Sequence, residues 1–340
     1  MTSKNIYILA IESSCDDTAA AVLLNDKLLS NVVATQDIHQ KYGGVVPELA
    51  SRAHQQNIVP VIHQAIAQAN IDKKDINAIA FTRGPGLMGS LLVGTSFAKS
   101  LAMGLNVPLI EVNHMQAHIL AHFIDEKNHS KPEFPFLALT ISGGHTQIVK
   151  VIDYFEMEVL GQAIDDAVGE AFDKSAKILG MPYPGGPLID KYAQMGNPKA
   201  FKFTKPKVGG LDFSFSGLKT AVLYFIQKQV KENAKFIEEN RDDICASIQY
   251  TIVEILMDKL KIAVKQTGIN QIAIGGGVSA NSGIRKTLKE AEKKYGWKTY
   301  VPKFEYTTDN AAMIGIVGYY KYLKGDFANL SVTAQARYKI

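Results

Sequence analysis

The chain has 340 residues, 46% hydrophobic and 21% charged, the balance of a globular protein long enough for two domains. No run of eighteen apolar residues occurs, which excludes a membrane-spanning helix, and Cys15 and Cys245 alone cannot form a disulfide framework. The net charge of +4 permits an anionic partner without requiring one, and the expected compartment is the cytoplasm.

The opening MTSKNIYILAIESS has no apolar core followed by a small-residue cleavage site; Ile6–Ile11 reads as a first strand. Residues 6–24 read strand, tight polar turn, strand, with Glu12, Asp16 and Asp17 in a turn that such side chains commonly stabilise. Residues 46–71 space Leu49, Ala53, Ile58, Ile62, Ala65, Ile66 and Ala69 as an amphipathic helix, or two helices split near Pro60. That face suits either the chain's own sheet or a partner. Residues 76–101 give a strand, a Gly/Pro loop and a helix, and residues 106–123 a strand, a short loop and a helix.

The corner of this last unit reads Asn113-His114-Met115-Gln116-Ala117-His118. Imidazoles four apart project from one helical face, the usual way for two histidines to share a metal ion. An isolated HxxxH is a weak signal. Met115 stands where a thermolysin-type peptidase needs its glutamate, so a zinc peptidase is a poor reading.

The second half repeats the plan in the same order. Residues 134–152 match 6–24, residues 269–291 match 76–101, and residues 298–320 match 106–123. Three ordered matches predict a duplicated α/β fold, two similar domains flanking a cleft. The expected domains are 1–127, rejoined by 324–340, and 128–323, with an insertion near 161–240. The third match sets Asp309 in the second domain, opposite His114 and His118 in the first. Two histidines and one carboxylate with open positions suit Fe(II) or Zn(II).

Glycine loops follow strands at SGGHT (142–146) and GGGVSAN (275–281), where backbone N–H groups can approach phosphate. Neither continues as GK[ST], and GPGLMG (84–89) lacks GxGxxG spacing, which argues against P-loop and Rossmann enzymes. Asn281 reads equally well as an N-cap or as a nucleoside ligand. Residues 163–180 place Asp166, Glu170 and Asp173 near one helical face leading to PGGP (184–187), and Asp173 is expected to accept a substrate hydroxyl.

The strings ESSCDDT, GGVVPELASRAH, TRGPGLMGSL, NHMQAH, SGGHTQ, DDAVGEAFDK, YPGGP, DFSFSGLKT, GGGVSAN and TTDNAAMI span residues 6–320 in order. Together they resemble the bacterial tRNA adenosine threonylcarbamoyltransferases. The resemblance implies the ASKHA fold shared by actin, sugar kinases and Hsp70. It also implies transfer of a threonylcarbamoyl group from threonylcarbamoyl-AMP to the N6 amine of the adenosine beside the anticodon, in tRNAs reading codons that begin with A. Metal ligands would be His114, His118 and Asp309, holding one divalent ion, Fe(II) before Zn(II). Thr140, Ile141, Ser142, Gly143 and Gly144 would contact the acyl-adenylate, with Asp173, Gly186, Asp190 and Asn281 around its nucleoside; ATP or ADP would fit the same cleft.

His145, a conceivable proton acceptor, and Glu12 are the catalytic candidates. Implied partners are tRNA, a smaller paralogous subunit docking on the helix that begins near Val46, and a P-loop ATPase; no membrane is involved. Lys202, Lys205, Lys207 and the run Arg285–Lys298 are the candidate RNA contacts. Two departures stand out: the family usually reads NHMEGH, where Gln116 and Ala117 stand here, and has cysteine and glycine in place of Thr307 and Ala311. Neither removes a ligand. The rival readings are an ATPase or sugar kinase on the same fold, and a non-catalytic scaffold.

Overall fold

In the computed structural model, which describes residues 5–127 and 130–340, the chain opens with β1 (Tyr7–Glu12), whose residues Ile8–Ile11 are all buried. A strand covered on both faces belongs in the middle of a sheet. There follow β2 (Asp17–Leu24), β3 (Lys27–Thr35), α1 (Pro47–Gln68), β4 (Ala78–Gly84), α2 (Met88–Leu105), β5 (Leu109–Asn113) and α3 (His114–Leu120). The strands form one sheet in the order β3-β2-β1-β4-β5; β1 pairs antiparallel with β2 and parallel with β4.

The helix expected over 46–71 is one continuous element rather than two. Pro60 lies inside α1 on its exposed side. An interior proline costs about 3 kcal/mol. Ile58, Val61, Ile62 and Ile66 are buried against the first sheet's core, and full burial of such side chains contributes roughly 1.5–3 kcal/mol each, enough to hold the helix through the proline.

A second sheet is built from β6 (Phe136–Ile141), β7 (Thr146–Asp153) and β8 (Glu156–Gln162). The chain then forms α4 (Val168–Ile178), α5 (Gly186–Ala193), α6 (Ser216–Glu232) and α7 (Phe236–Thr267), the last kinked at Asn240. It returns as β9 (Gln271–Gly275), α8 (Ser282–Tyr295) and β10 (Lys298–Tyr300). Among the described residues the order is β8-β7-β6-β9-β10, with two antiparallel pairs followed by two parallel pairs, as in the first sheet. The two halves therefore share one strand plan.

The last helix, α9 (Ala311–Lys324), departs from the repeat. Although it follows β10, it packs against β1, β2, β4 and β5 of the first sheet. Ala311–Gly318 are buried all round, and a Cβ on Gly315 or Gly318 would run into Leu23 or Ala80, so the helix lies close on the strands. The chain divides into one compact unit of Met1–Lys131 with Pro302–Ile340 and another of Pro132–Val301. Residues 302–323, expected in the second domain, thus group with the first. The tail beyond α9 runs along β4 and β5: Ala328 bridges Leu109, and Gln335 N donates to Arg83 O at 2.8 Å. Among the described residues, no helix is long and apolar enough to cross a membrane.

Candidate metal centre and glycine loops

In the first unit, β5 ends at Asn113, whose Oδ1 accepts from the backbone N–H groups of Met115 (2.9 Å) and Gln116 (3.2 Å). This N-cap starts α3 at His114 and brings His118 above it one turn on, the rings edge-to-face with centroids 4.7 Å apart. Asp309 lies just before a second capping asparagine, Asn310, whose Oδ1 accepts from Met313 N at the start of α9. Its Oδ1 is 3.3 Å from His114 Nε2 and 3.3 Å from His118 Nε2. One ligand atom from each residue lies within 4.8 Å of the others. The expected set is therefore assembled within one unit, not from the two sides of a cleft.

Behind the histidines lies Glu12, fully buried. Its oxygens accept from Ser14 N and from Thr82 Oγ1, and its Oε2 is 3.1 Å from His114 Nδ1; Ser14 Oγ is 3.3 Å from the same nitrogen. Glu12, expected as a catalytic carboxylate, thus has both oxygens in contact with protein groups, one of them the His114 ring. A carboxylate behind a ligating histidine fixes its tautomer and raises its basicity.

The electrostatics follow from burial. Burial pulls His118 below the ordinary imidazole value, favouring the neutral, ligating form. The same burial acts on His114 but is outweighed by Asp309 and Glu12, which hold it well above that value. Asp309 resists the upward push of burial because His114, then His118, keeps it ionised. The ring nitrogens of buried His118 make no hydrogen bond among the described residues, although Nε2 faces Asp309. Orphaned buried nitrogens, an anionic oxygen and an orienting carboxylate fit a divalent cation taking the place of the His114 proton.

In the second unit β6 and β9 are parallel neighbours, so the loops at their carboxyl ends are adjacent. Ser142 N donates to His145 O at 2.8 Å and His145 N to Ser142 Oγ at 3.1 Å, closing the turn with Gly143 and Gly144 exposed. Thr140 and Ile141, expected to contact substrate, are fully buried strand residues with their side chains in the sheet layers. Gly276, with φ +88°, comes so close to β6 that an added Cβ would lie 2.5 Å from Ile141 O.

The other expected residues organise helix starts. Asp173 Oδ1 accepts from Gly185 N (2.8 Å) and Gly186 N (3.0 Å), tying α4 to the start of α5, and burial raises its pKa. Asp190 accepts from Ser282 N (3.0 Å) and Ser282 Oγ (2.6 Å) at the start of α8. Asn281 is the N-cap, accepting from Ile284 N at 3.0 Å and donating to Gln249 Oε1 at 2.7 Å. Sequence reading missed Ser14, Thr82, Asn113 and Gln249. Only Asn113 carried a local signal, an N-capping residue directly before the helix.

A family model described as tRNA N6-adenosine threonylcarbamoyltransferase matches residues 27–316. A protein of that name from Christiangramia forsetii is 79% identical over 339 residues, covering 100% of both chains. One from Riemerella anatipestifer is 65% identical over 337 residues, 99% of each chain. Among solved structures, full-length HypF matches with a TM-score of 0.62 at 14% identity, over 96% of this chain and 48% of that one. Component A of the (R)-2-hydroxyglutaryl-CoA dehydratase of Acidaminococcus fermentans matches at 0.54 and 15% identity, over 94% and 99%. These distant likenesses, with the duplicated strand plan, give the fold as ASKHA. The chain belongs to the tRNA N6-adenosine threonylcarbamoyltransferase family.

Proposed function

We propose that the chain transfers the threonylcarbamoyl group of threonylcarbamoyl-AMP to the N6 amine of the adenosine adjacent to the anticodon, in tRNAs reading codons that begin with A. The observation that carries this reading is the convergence of His114, His118 and Asp309 over a buried Glu12, in a chain matched end to end by transferases of that name. In the reaction the amine nitrogen bonds to the carbamoyl carbon, the carbon–oxygen bond to AMP breaks, and N6 loses one proton. The leaving group is already activated, so positioning and charge stabilisation dominate.

A divalent ion held by His114, His118 and Asp309, Fe(II) before Zn(II), would supply Lewis acidity or a template for the threonyl end. Glu12 would keep His114 in its ligating tautomer. The Ser142–Gly144 turn would contact the acyl-adenylate, with the N–H groups of Gly143 and Gly144 toward its phosphate. Asp173 and Gly186, with Asp190 and Asn281 holding the start of α8, would frame the nucleoside. His145, in the same turn, is the proposed proton acceptor.

The proposed partners are a smaller paralogous subunit on the face of α1, a P-loop ATPase and tRNA itself, with the reaction in the cytoplasm. Nucleoside mass spectrometry of tRNA incubated with threonine, bicarbonate, ATP and these partners, with and without the chain, tests the reading. Modification must require the chain and fail with His114→Ala/His118→Ala. Rapid ATP hydrolysis by the isolated chain without tRNA would favour the kinase or ATPase alternative.

A further inference from the structure

The charge of the chain is concentrated in one stretch. Residues 197–235 carry eight lysines and only two acids, Asp212 and Glu232. The stretch's net +6 exceeds the whole chain's +4, so everything outside it sums to −2. Folding sorts these lysines. Lys205 is taken by Asp258 (2.5 Å) and Glu254 (3.6 Å), which removes it from the expected RNA contacts. Among the described residues, Lys199, Lys202, Lys207, Lys228 and Lys231 make no ion pair and are exposed. The other expected run, on α8, is diluted: Lys289 pairs with Glu292 at 2.6 Å, Glu290 is interspersed, and Arg285 Nε donates to Ser279 O at 2.7 Å.

Helix α6 orders the free cations. Leu218, Val222 and Ile226 are buried on one side, leaving an exposed stripe of Gly217, Thr220, Tyr224, Gln227, Lys228 and Lys231. Tyr224 is 66% exposed, a large ring held in water one helical turn before Lys228. Phe201 and Phe203 pack on Phe225 with centroids 5.0 and 5.5 Å away, which draws the basic loop along the same helix and turns Lys202 outward between them. Unpaired cations beside an exposed aromatic ring match a phosphate backbone with an unstacked base. An acidic protein surface would use the lysines and leave the ring unexplained.

We infer that the α6 stripe of Tyr224, Lys228 and Lys231, with Lys202 and Lys207 of the preceding loop, is the surface on which this chain receives tRNA. The inference rests on the proposed transferase reading and assigns it a binding face. Phosphate contacts there carry affinity and its salt dependence, while Tyr224 stacks on a base of a single-stranded loop.

Fluorescence anisotropy of the full chain with unmodified tRNA transcript, over a potassium chloride series, tests this. Lys228→Glu/Lys231→Glu should weaken binding roughly tenfold or more at low salt and flatten the log–log salt slope by about one for each phosphate no longer neutralised. Tyr224→Ala should weaken binding while leaving the slope unchanged, and Lys286→Glu/Lys293→Glu on α8 should leave it near wild type. All substituted residues are exposed, and circular dichroism melts check that each variant folds. Unchanged tRNA binding by the α6 variants, undetectable binding by the wild type, or loss of a protein partner with tRNA binding intact would each overturn the assignment. Nucleoside mass spectrometry on the wild type separates the two ideas. Modified tRNA with stripe-independent binding sinks the surface alone; stripe-dependent binding without modification sinks the transferase reading alone.

Discussion

The side chain of Asn113 faces both ways: its Oδ1 caps α3 directly before His114, and its Nδ2 donates to the carbonyls of Lys339 (3.0 Å) and Tyr338 (3.4 Å). The carboxyl-terminal tail is thereby fastened to the corner that carries both histidines. Tyr338 adds a ring under the Arg83 guanidinium at 4.8 Å, and Arg83 pairs with Glu111 at 2.7 Å, two residues before Asn113. Asn113→Ser retains a capping oxygen and loses the donor to the tail; Asn113→Ala loses both. The alanine variant should lose about 1 kcal/mol more stability than the serine variant by thermal or urea melting. Both, and truncation before Tyr338, should weaken metal binding in a competition titration; unaltered affinity would mean the tail plays no part in holding α3.

Ligands and their supports should separate in metal content. His118→Ala or Asp309→Ala removes one of three ligands and should leave no stoichiometric metal by plasma mass spectrometry. Glu12→Gln leaves every ligand in place and should weaken affinity by about 10–100-fold, the usual effect of removing a carboxylate behind a ligating histidine. Equal metal loss in Glu12→Gln and Asp309→Ala would show that Glu12 is itself a ligand.

The raised pKa of His114 and the lowered one of Asp309 give the two groups' contributions to stability opposite pH dependences. In the metal-free protein, the ionic contribution of His114 is full below its ordinary value of 6.5 and fades as pH rises through the higher folded value. The contribution of Asp309 is full above 3.8 and is lost only as pH falls below it through the depressed folded value. Metal binding must displace the His114 proton, so affinity should rise with pH, with close to one proton released per ion near neutrality. Calorimetric titration in buffers of different ionisation enthalpy measures that proton; zero release would mean His114 is already neutral.

The two glycine loops of the second unit should respond differently to alanine. Gly276 combines φ +88° with backbone contact against Ile141, so Gly276→Ala should destabilise by about 1–3 kcal/mol. A Cβ on Gly143 meets nothing within 4 Å, and Gly143→Ala should change stability by no more than about 0.5 kcal/mol. Any loss in Gly143→Ala should therefore appear in binding of a non-hydrolysable acyl-adenylate analogue rather than in chemical denaturation.

The sequence by itself determined what is local and periodic. It held the strand–loop–helix units and their order, because side-chain period and turn chemistry act over a few residues. It held the shared face of His114 and His118, because an i,i+4 pair needs only a helix. Only the tertiary structure decided where those pieces went. The apolar positions of α9 demand burial but do not name a sheet, and close packing of Gly315 and Gly318 on β1, β2 and β4 assigns the helix, with Asp309 before it, to the first unit. Glu12 reads as a turn carboxylate; its burial behind His114 depends on residues about a hundred positions away. Lys205 and Lys228 are alike in sequence, and only folding sets Asp258 beside the first while leaving the second in water. Contacts between distant segments follow from which surfaces meet, and no local pattern encodes that.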